Sequence, residues 1–99
     1  IRELLIASHI LPWQLSNPHQ KVDKFNGLAL SPNIDKLFDK GFISFDDKGK
    51  ILIKNSLSAD TLEAVGVDKN MTIKNLTKEH LAYLKEHREI FEFGHSNNV

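Results

Sequence analysis

Asn26-Gly27-Leu28-Ala29-Leu30-Ser31-Pro32-Asn33-Ile34-Asp35-Lys36-Leu37-Phe38-Asp39-Lys40-Gly41 is the stretch on which the fold turns. Asn26-Gly27 is a tight-turn dipeptide, and Leu28-Ala29-Leu30 is a short strand. Ser31 and Pro32 are the residue types favoured at a helix N-cap and at the first helical position, and Gly41 suits the position just past the end. The spacing predicts a helix through Lys40. Ile34, Leu37 and Phe38 share one face of it, and Asp35 and Asp39 share another.

Upstream, Leu4-Leu5-Ile6-Ala7 reads as a buried strand ending at Ser8-His9-Ile10. Leu11-Pro12-Trp13 breaks regular structure, because proline lacks an N–H and restricts the residue before it. Gln14 to Phe25 is polar, with Asn17-Pro18 as a turn signal, and is expected to be a loop of about a dozen residues; unstructured loops of that length are usually functional. Downstream, Phe42–Asp46 and Lys50–Lys54 are β-rich runs joined by Asp47-Lys48-Gly49, a hairpin pattern. Ser58 caps a short helix through Val65, ended by Gly66, and Val67–Leu76 is a connector. Thr77 caps a longer helix over Lys78–Phe93, with Leu81, Leu84, Ile90 and Phe91 available for packing and Gly94 closing it. The expected architecture is α+β within one domain over residues 1–93. It divides into a core motif at 4–41, a hairpin at 42–54, a helical part at 58–93 and a flexible tail at 94–99.

Composition bounds the function. Ninety-nine residues, 40% hydrophobic and 26% charged, make an ordinary small soluble domain. The formal net charge is zero, so no global basic signature of nucleic-acid binding exists, although Lys21/Lys24 and Lys36/Lys40 can form local patches. Without cysteine, neither a disulfide nor a Cys-based zinc site can staple the fold. No apolar run is long enough to span a bilayer and no signal-peptide pattern is present, so a cytoplasmic location is expected. The start on Ile1, within an apolar stretch, fits a fragment of a longer protein.

His9, Asp35 and Asp39 carry the chemistry in this pattern. Phosphodiester hydrolysis needs an activated water, a cation against the phosphate and help for the departing 3′ oxygen. An imidazole at a strand end suits the first task, since its unperturbed pKa lies near neutrality. Two aspartates one helical turn apart can converge on one cation, and oxygen-only ligation favours Mg²⁺ or Mn²⁺. The blander readings are a structural histidine, a solvated acidic face paired with Lys36 or Lys40, and Trp13 as a core residue or loop anchor. His19 reads as solvent-exposed, and His80, His87 and Arg88 as surface or packing residues of the last helix.

Three segments in order narrow the choice. Ala7-Ser8-His9-Ile10-Leu11-Pro12-Trp13, Asn26–Asn33 and Leu37–Asp46 resemble the HNH endonucleases, and within them the bacterial restriction-type HNH domains; Tyr83–Arg88 is similar to the family's C-terminal helix. The resemblance implies a ββα-metal (His-Me finger) core, here with an added β-hairpin and C-terminal helices. It places His9 at the general-base position and Asn26 at the asparagine that holds the long loop and orients the base. Asp35 falls where the last histidine of the HNH name commonly stands as a metal ligand, and Asp39 on a second helical ligand position. Ser8 occupies the position before the base, where many relatives carry a ligand. The implied enzyme is a divalent-metal-dependent, DNA-cleaving nuclease of restriction or defence type using one Mg²⁺ or Mn²⁺. Trp13, Lys36, Lys40 and Arg88 are candidate nucleic-acid contacts. Double-strand cleavage by one-site domains usually requires two copies, which leaves a homodimer open, and specificity is expected from other regions of the full-length protein. The competing reading is a catalytically inactive module of the same fold that binds DNA or a protein partner.

Overall fold

A computed structural model describes residues 5–93. β1 (Ile6–His9) pairs antiparallel with β2 (Gly27–Leu30), with Ile6 opposite Leu30 and His9 opposite Gly27. The Ile10 N–H, donating to the Asn26 carbonyl at 3.2 Å, carries the pairing one step further. Burial begins at Ser8, whereas Leu5 and Ile6 are about two-fifths exposed. Leu5, Ile6 and Ala7 are therefore not the buried strand their composition predicts: β1 is buried only from Ser8 onward, while β2 buries both Leu28 and Leu30. Leu4 itself lies outside the described residues.

Between the strands the chain is not a structureless loop. Trp13–Leu15 forms a 3-10 turn and Pro18–Val22 a short helix, α1. Asn17 caps α1 by accepting the Gln20 N–H, while the Gln20 side chain accepts the Asn17 N–H; this reciprocal box satisfies two amides that a five-residue helix would otherwise leave open. Asn17-Pro18 is thus a helix start rather than a turn, with Pro18 in the first turn where its missing N–H costs nothing.

β2 leads through Ser31 into α2 (Pro32–Asp39), whose Ile34 and Phe38 are buried. Leu37, on the same face, is half-buried and packs against the core. α2 lies against β1 and also touches β3. β3 (Ile43–Phe45) and β4 (Ile51–Ile53) form the expected hairpin, with Ser44 opposite Leu52. The connector after α3 (Ala59–Ala64) adds to this hairpin: the Ile51 N–H donates to the Met71 carbonyl, the Ile73 N–H to the Gly49 carbonyl, and Lys50 bridges Thr72.

α4 (Lys78–Ile90) packs on β3. Thr77 caps it, and the His80 ring takes the place usually held by a Glu or Gln in the reciprocal contact, accepting the Thr77 N–H at 3.0 Å. Leu84 is fully buried, but Ile90 stays 39% exposed because it falls off the packed face. The core joins Leu28 and Leu30 of β2, Ile34 and Phe38 of α2, Ile43, Phe45 and Ile51 of the hairpin, and Leu62, Val67 and Leu84. One core thus spans the 4–41 segment, the hairpin and the helical part. The predicted tail at 94–99, with Gly94 and His95, lies outside the described residues. Among the described residues no helix is long and apolar enough to cross a membrane.

Candidate active site

His9 closes β1 and is half-buried. Its Nε2 lies 3.0 Å from the Lys21 carbonyl oxygen at the end of α1. A carbonyl only accepts, so Nε2 carries the proton of the neutral ring and Nδ1 is left as the basic nitrogen. The Trp13 ring meets the imidazole edge-on, with centroids 5.3 Å apart, and the Lys21 ammonium sits 4.5 Å from the Trp13 centroid. The ring is thus fixed at one nitrogen and flanked on one side. Trp13 stays 53% exposed, which corrects its reading as a core residue.

Asn26 is the keystone of the loop, at 1% exposure. Its Oδ1 accepts the Leu11 N–H at 2.7 Å, and its Nδ2 donates to the Gln20 carbonyl at 3.0 Å and the Ser16 hydroxyl at 3.4 Å. Its own N–H donates to the Asp23 carbonyl at 3.0 Å. One amide therefore ties both ends of the 11–20 segment to β2. The carbonyl that holds His9 belongs to the next residue, Lys21. Ser16 takes part as well, its hydroxyl 3.2 Å from the Leu11 carbonyl. Sequence reasoning missed Ser16 and Lys21; the Asn17–Gln20 box signals the helix that positions Lys21, whereas nothing local marks Ser16.

Asp35 and Asp39 stand one turn apart on α2, the first half-buried and the second exposed. Among the described residues neither carboxylate takes part in a hydrogen bond or ion pair, so the expected pairing with Lys36 or Lys40 is not formed. Other aspartates are committed: Asp23 to Phe25 and Tyr83, Asp46 to Lys48 and Lys50, Asp47 to Arg88. Among the described residues no three His, Cys, Asp or Glu side chains gather closely enough to hold a metal ion. Ser8 is buried opposite Leu28 in the strand ladder. Lys36 and Lys40 are exposed on α2. Arg88 is placed differently from a DNA contact: its guanidinium donates to the Phe45 carbonyl at 2.7 Å and pairs with Asp47 at 3.0 Å, with 13% of the side chain exposed.

α4 supplies residues that the sequence marks only as surface or packing positions. His87 is 1% exposed; its Nδ1 accepts the Ser44 hydroxyl at 2.8 Å and its Nε2–H donates to the Phe38 carbonyl at 2.9 Å. The ring stacks parallel on Phe38 at 3.9 Å. Burial pushes its pKa down to about 4, outweighing the opposing hydrogen bond to Phe38. Tyr83 donates its hydroxyl to Asp23 at 2.8 Å. Burial, followed by that carboxylate, pushes the phenol up to about 12, while the Phe25 N–H and then the Tyr83 hydroxyl hold Asp23 below its ordinary value.

A comparison with curated proteins gives no match. The model of the family described as HNH endonuclease does match, over residues 2–46. These are the residues of β1, the braced loop, β2, α2 and β3, and the family points to a nuclease-type function. On that match, the segment that carries His9, Asn26, Asp35 and Asp39 is similar to the HNH endonuclease family.

Proposed function

We propose that this chain is a divalent-metal-dependent nuclease domain of restriction or defence type that hydrolyses DNA phosphodiester bonds, with β1, β2 and α2 as a ββα-metal core. The observation that carries this reading is the state of His9: Nε2 is spent on the Lys21 carbonyl, and Nδ1 is the acceptor nitrogen of a half-buried ring. His9 takes a proton from the attacking water at Nδ1. Asn26 keeps the loop, and with it the Lys21 carbonyl, in place, so the base does not swing. Trp13, Lys36 and Lys40 are the side chains that meet the nucleic acid.

The donor set fits a hard cation. Magnesium is commonly held by only one or two carboxylates, with water and substrate phosphate completing its shell; Asp35 and Asp39 are two carboxylates without a hydrogen bond or ion pair among the described residues. They would hold one Mg²⁺ or Mn²⁺, which when bound neutralises charge on the scissile phosphate and eases departure of the 3′ oxygen. Before DNA arrives, the same carboxylates repel phosphate. Cutting both strands with a single site usually takes two copies.

Plasmid cleavage in Mg²⁺, Mn²⁺ or EDTA tests the proposal. Nicking is expected in either metal and absent in EDTA, and His9→Ala is expected to slow it by about 10²- to 10⁴-fold, the usual contribution of a general base. Metal-dependent nicking that persists unchanged in His9→Ala removes His9 as the base. A wild-type chain that binds duplex DNA and never cuts it is instead a binding module of the same fold.

A further inference from the structure

Tyr83 and His87 stand one turn apart on the same stripe of α4, and each reaches a different half of the candidate site. Tyr83 donates to Asp23 Oδ2 at 2.8 Å. Asp23 in turn shapes the turn into β2, since its Oδ1 accepts the Phe25 N–H at 2.9 Å and its carbonyl accepts the Asn26 N–H at 3.0 Å. That turn sets Asn26, and Asn26 sets the loop that fixes His9. His87 reaches the other half. Its Nε2–H donates to the carbonyl of Phe38, the residue before Asp39, and its ring lies flat on the Phe38 ring. Ser44 holds the opposite nitrogen from β3. Arg88, the next residue, pins α4 to the hairpin through the Phe45 carbonyl and Asp47.

We infer that α4 is a strut that fixes the separation of base and carboxylates, with Tyr83 as the positioning residue of the His9 half and His87 as that of the Asp35/Asp39 half. The inference rests on the proposed nuclease reading, yet it involves side chains beyond the segment that matches the family. A helix that merely covered the core would need apolar side chains at these positions. Here two polar groups, both directed and both partnered, connect the two halves of the site to one rigid element. His87 is buried and Tyr83 half-buried, and a displaced buried polar group is left unpaired, which fixes the geometry most firmly at His87.

The test uses the full chain and the variants Tyr83→Phe, His87→Gln and Ser44→Ala, each held well below its melting temperature. Three quantities are read: kcat for plasmid nicking, the Mg²⁺ concentration for half-maximal nicking, and broadening of the α2 amide NMR signals by Mn²⁺ alone. His87→Gln is expected to raise the Mg²⁺ requirement and weaken the Mn²⁺ broadening by about tenfold, the usual cost of losing an outer-shell support. Ser44→Ala is expected to move both in the same direction by less. Tyr83→Phe is expected to lower kcat by about tenfold through misplacement of the base, with Mn²⁺ broadening as in wild type. Folded variants that keep wild-type values, or that lose all three quantities in parallel, overturn the strut. A wild-type chain with neither metal-dependent nicking nor Mn²⁺ broadening overturns the nuclease reading itself, and the strut with it.

Discussion

Single polar side chains inside this small core each hold more than one segment. Asn26 satisfies a backbone N–H, a backbone carbonyl and a hydroxyl at once, which no apolar residue of its size could do. The resemblance implies its bracing role, whereas the Asn-Gly pair alone marks only a turn. His87 is different. Its partners lie 43 and 49 residues away, so no local pattern reveals it. Its buried neutral ring has a measurable consequence. With the folded pKa at about 4, below the ordinary 6.5, the unfolded chain binds more protons between those values. The stabilisation is complete above pH 6.5 and is lost as pH falls toward 4, by at most about 3 kcal/mol. Urea midpoints measured from pH 7 to 4.5 are expected to decline, and His87→Gln is expected to flatten that decline. An equal slope in both proteins would show that another group governs it.

At the scale of elements, helix ends explain most of what was predicted and what was not. α3 and α4 begin at the side-chain caps of Ser58 and Thr77, whereas Ser31 precedes α2 without a side-chain cap hydrogen bond and Pro32 opens the helix. α1 escapes a reading by polarity because it buries none of its residues, and only its capping box betrays it. Gly41, past the end of α2, adopts a positive φ, and a Cβ there would fall within the Phe91 ring. Gly66, past α3, has a similar φ but open space around it. Gly66→Ala should therefore cost only the left-handed backbone penalty, about 1 kcal/mol. Gly41→Ala should cost clearly more, because Phe91 must leave its place against His87. Thermal melts of the two variants check this ordering, and equal losses would show that Phe91 moves freely.

Taken as a whole, the molecule has no net charge with which to attract DNA. On the proposed function, its affinity for DNA must come from local lysines and from the metal that relieves the acidic face of α2. Metal and duplex are then linked, and each raises the affinity for the other. In the slow-cutting His9→Ala protein, fluorescence anisotropy of a labelled duplex is expected to give binding about tenfold tighter in Mg²⁺ than in EDTA, within the usual range of such couplings. Equal affinity in both buffers would remove Asp35 and Asp39 as the metal holders.

The sequence by itself determined the local elements: two strands, the helix after Ser31, the hairpin at Asp47-Lys48-Gly49 and the capped helix at Thr77. It also marked His9, Asn26, Asp35 and Asp39, because turn chemistry, caps and periodicity are written into neighbouring residues. Only the tertiary structure decided what fixes those side chains. The Lys21 carbonyl on His9, Ser16 beneath Asn26, Tyr83 on Asp23 and His87 between Ser44 and Phe38 are contacts between distant segments. Tertiary structure also decided that Arg88 is spent on the hairpin and that Leu5 and Ile6 remain exposed. Such pairings depend on how the elements pack around the shared core, and that packing has no signature in any single stretch of chain.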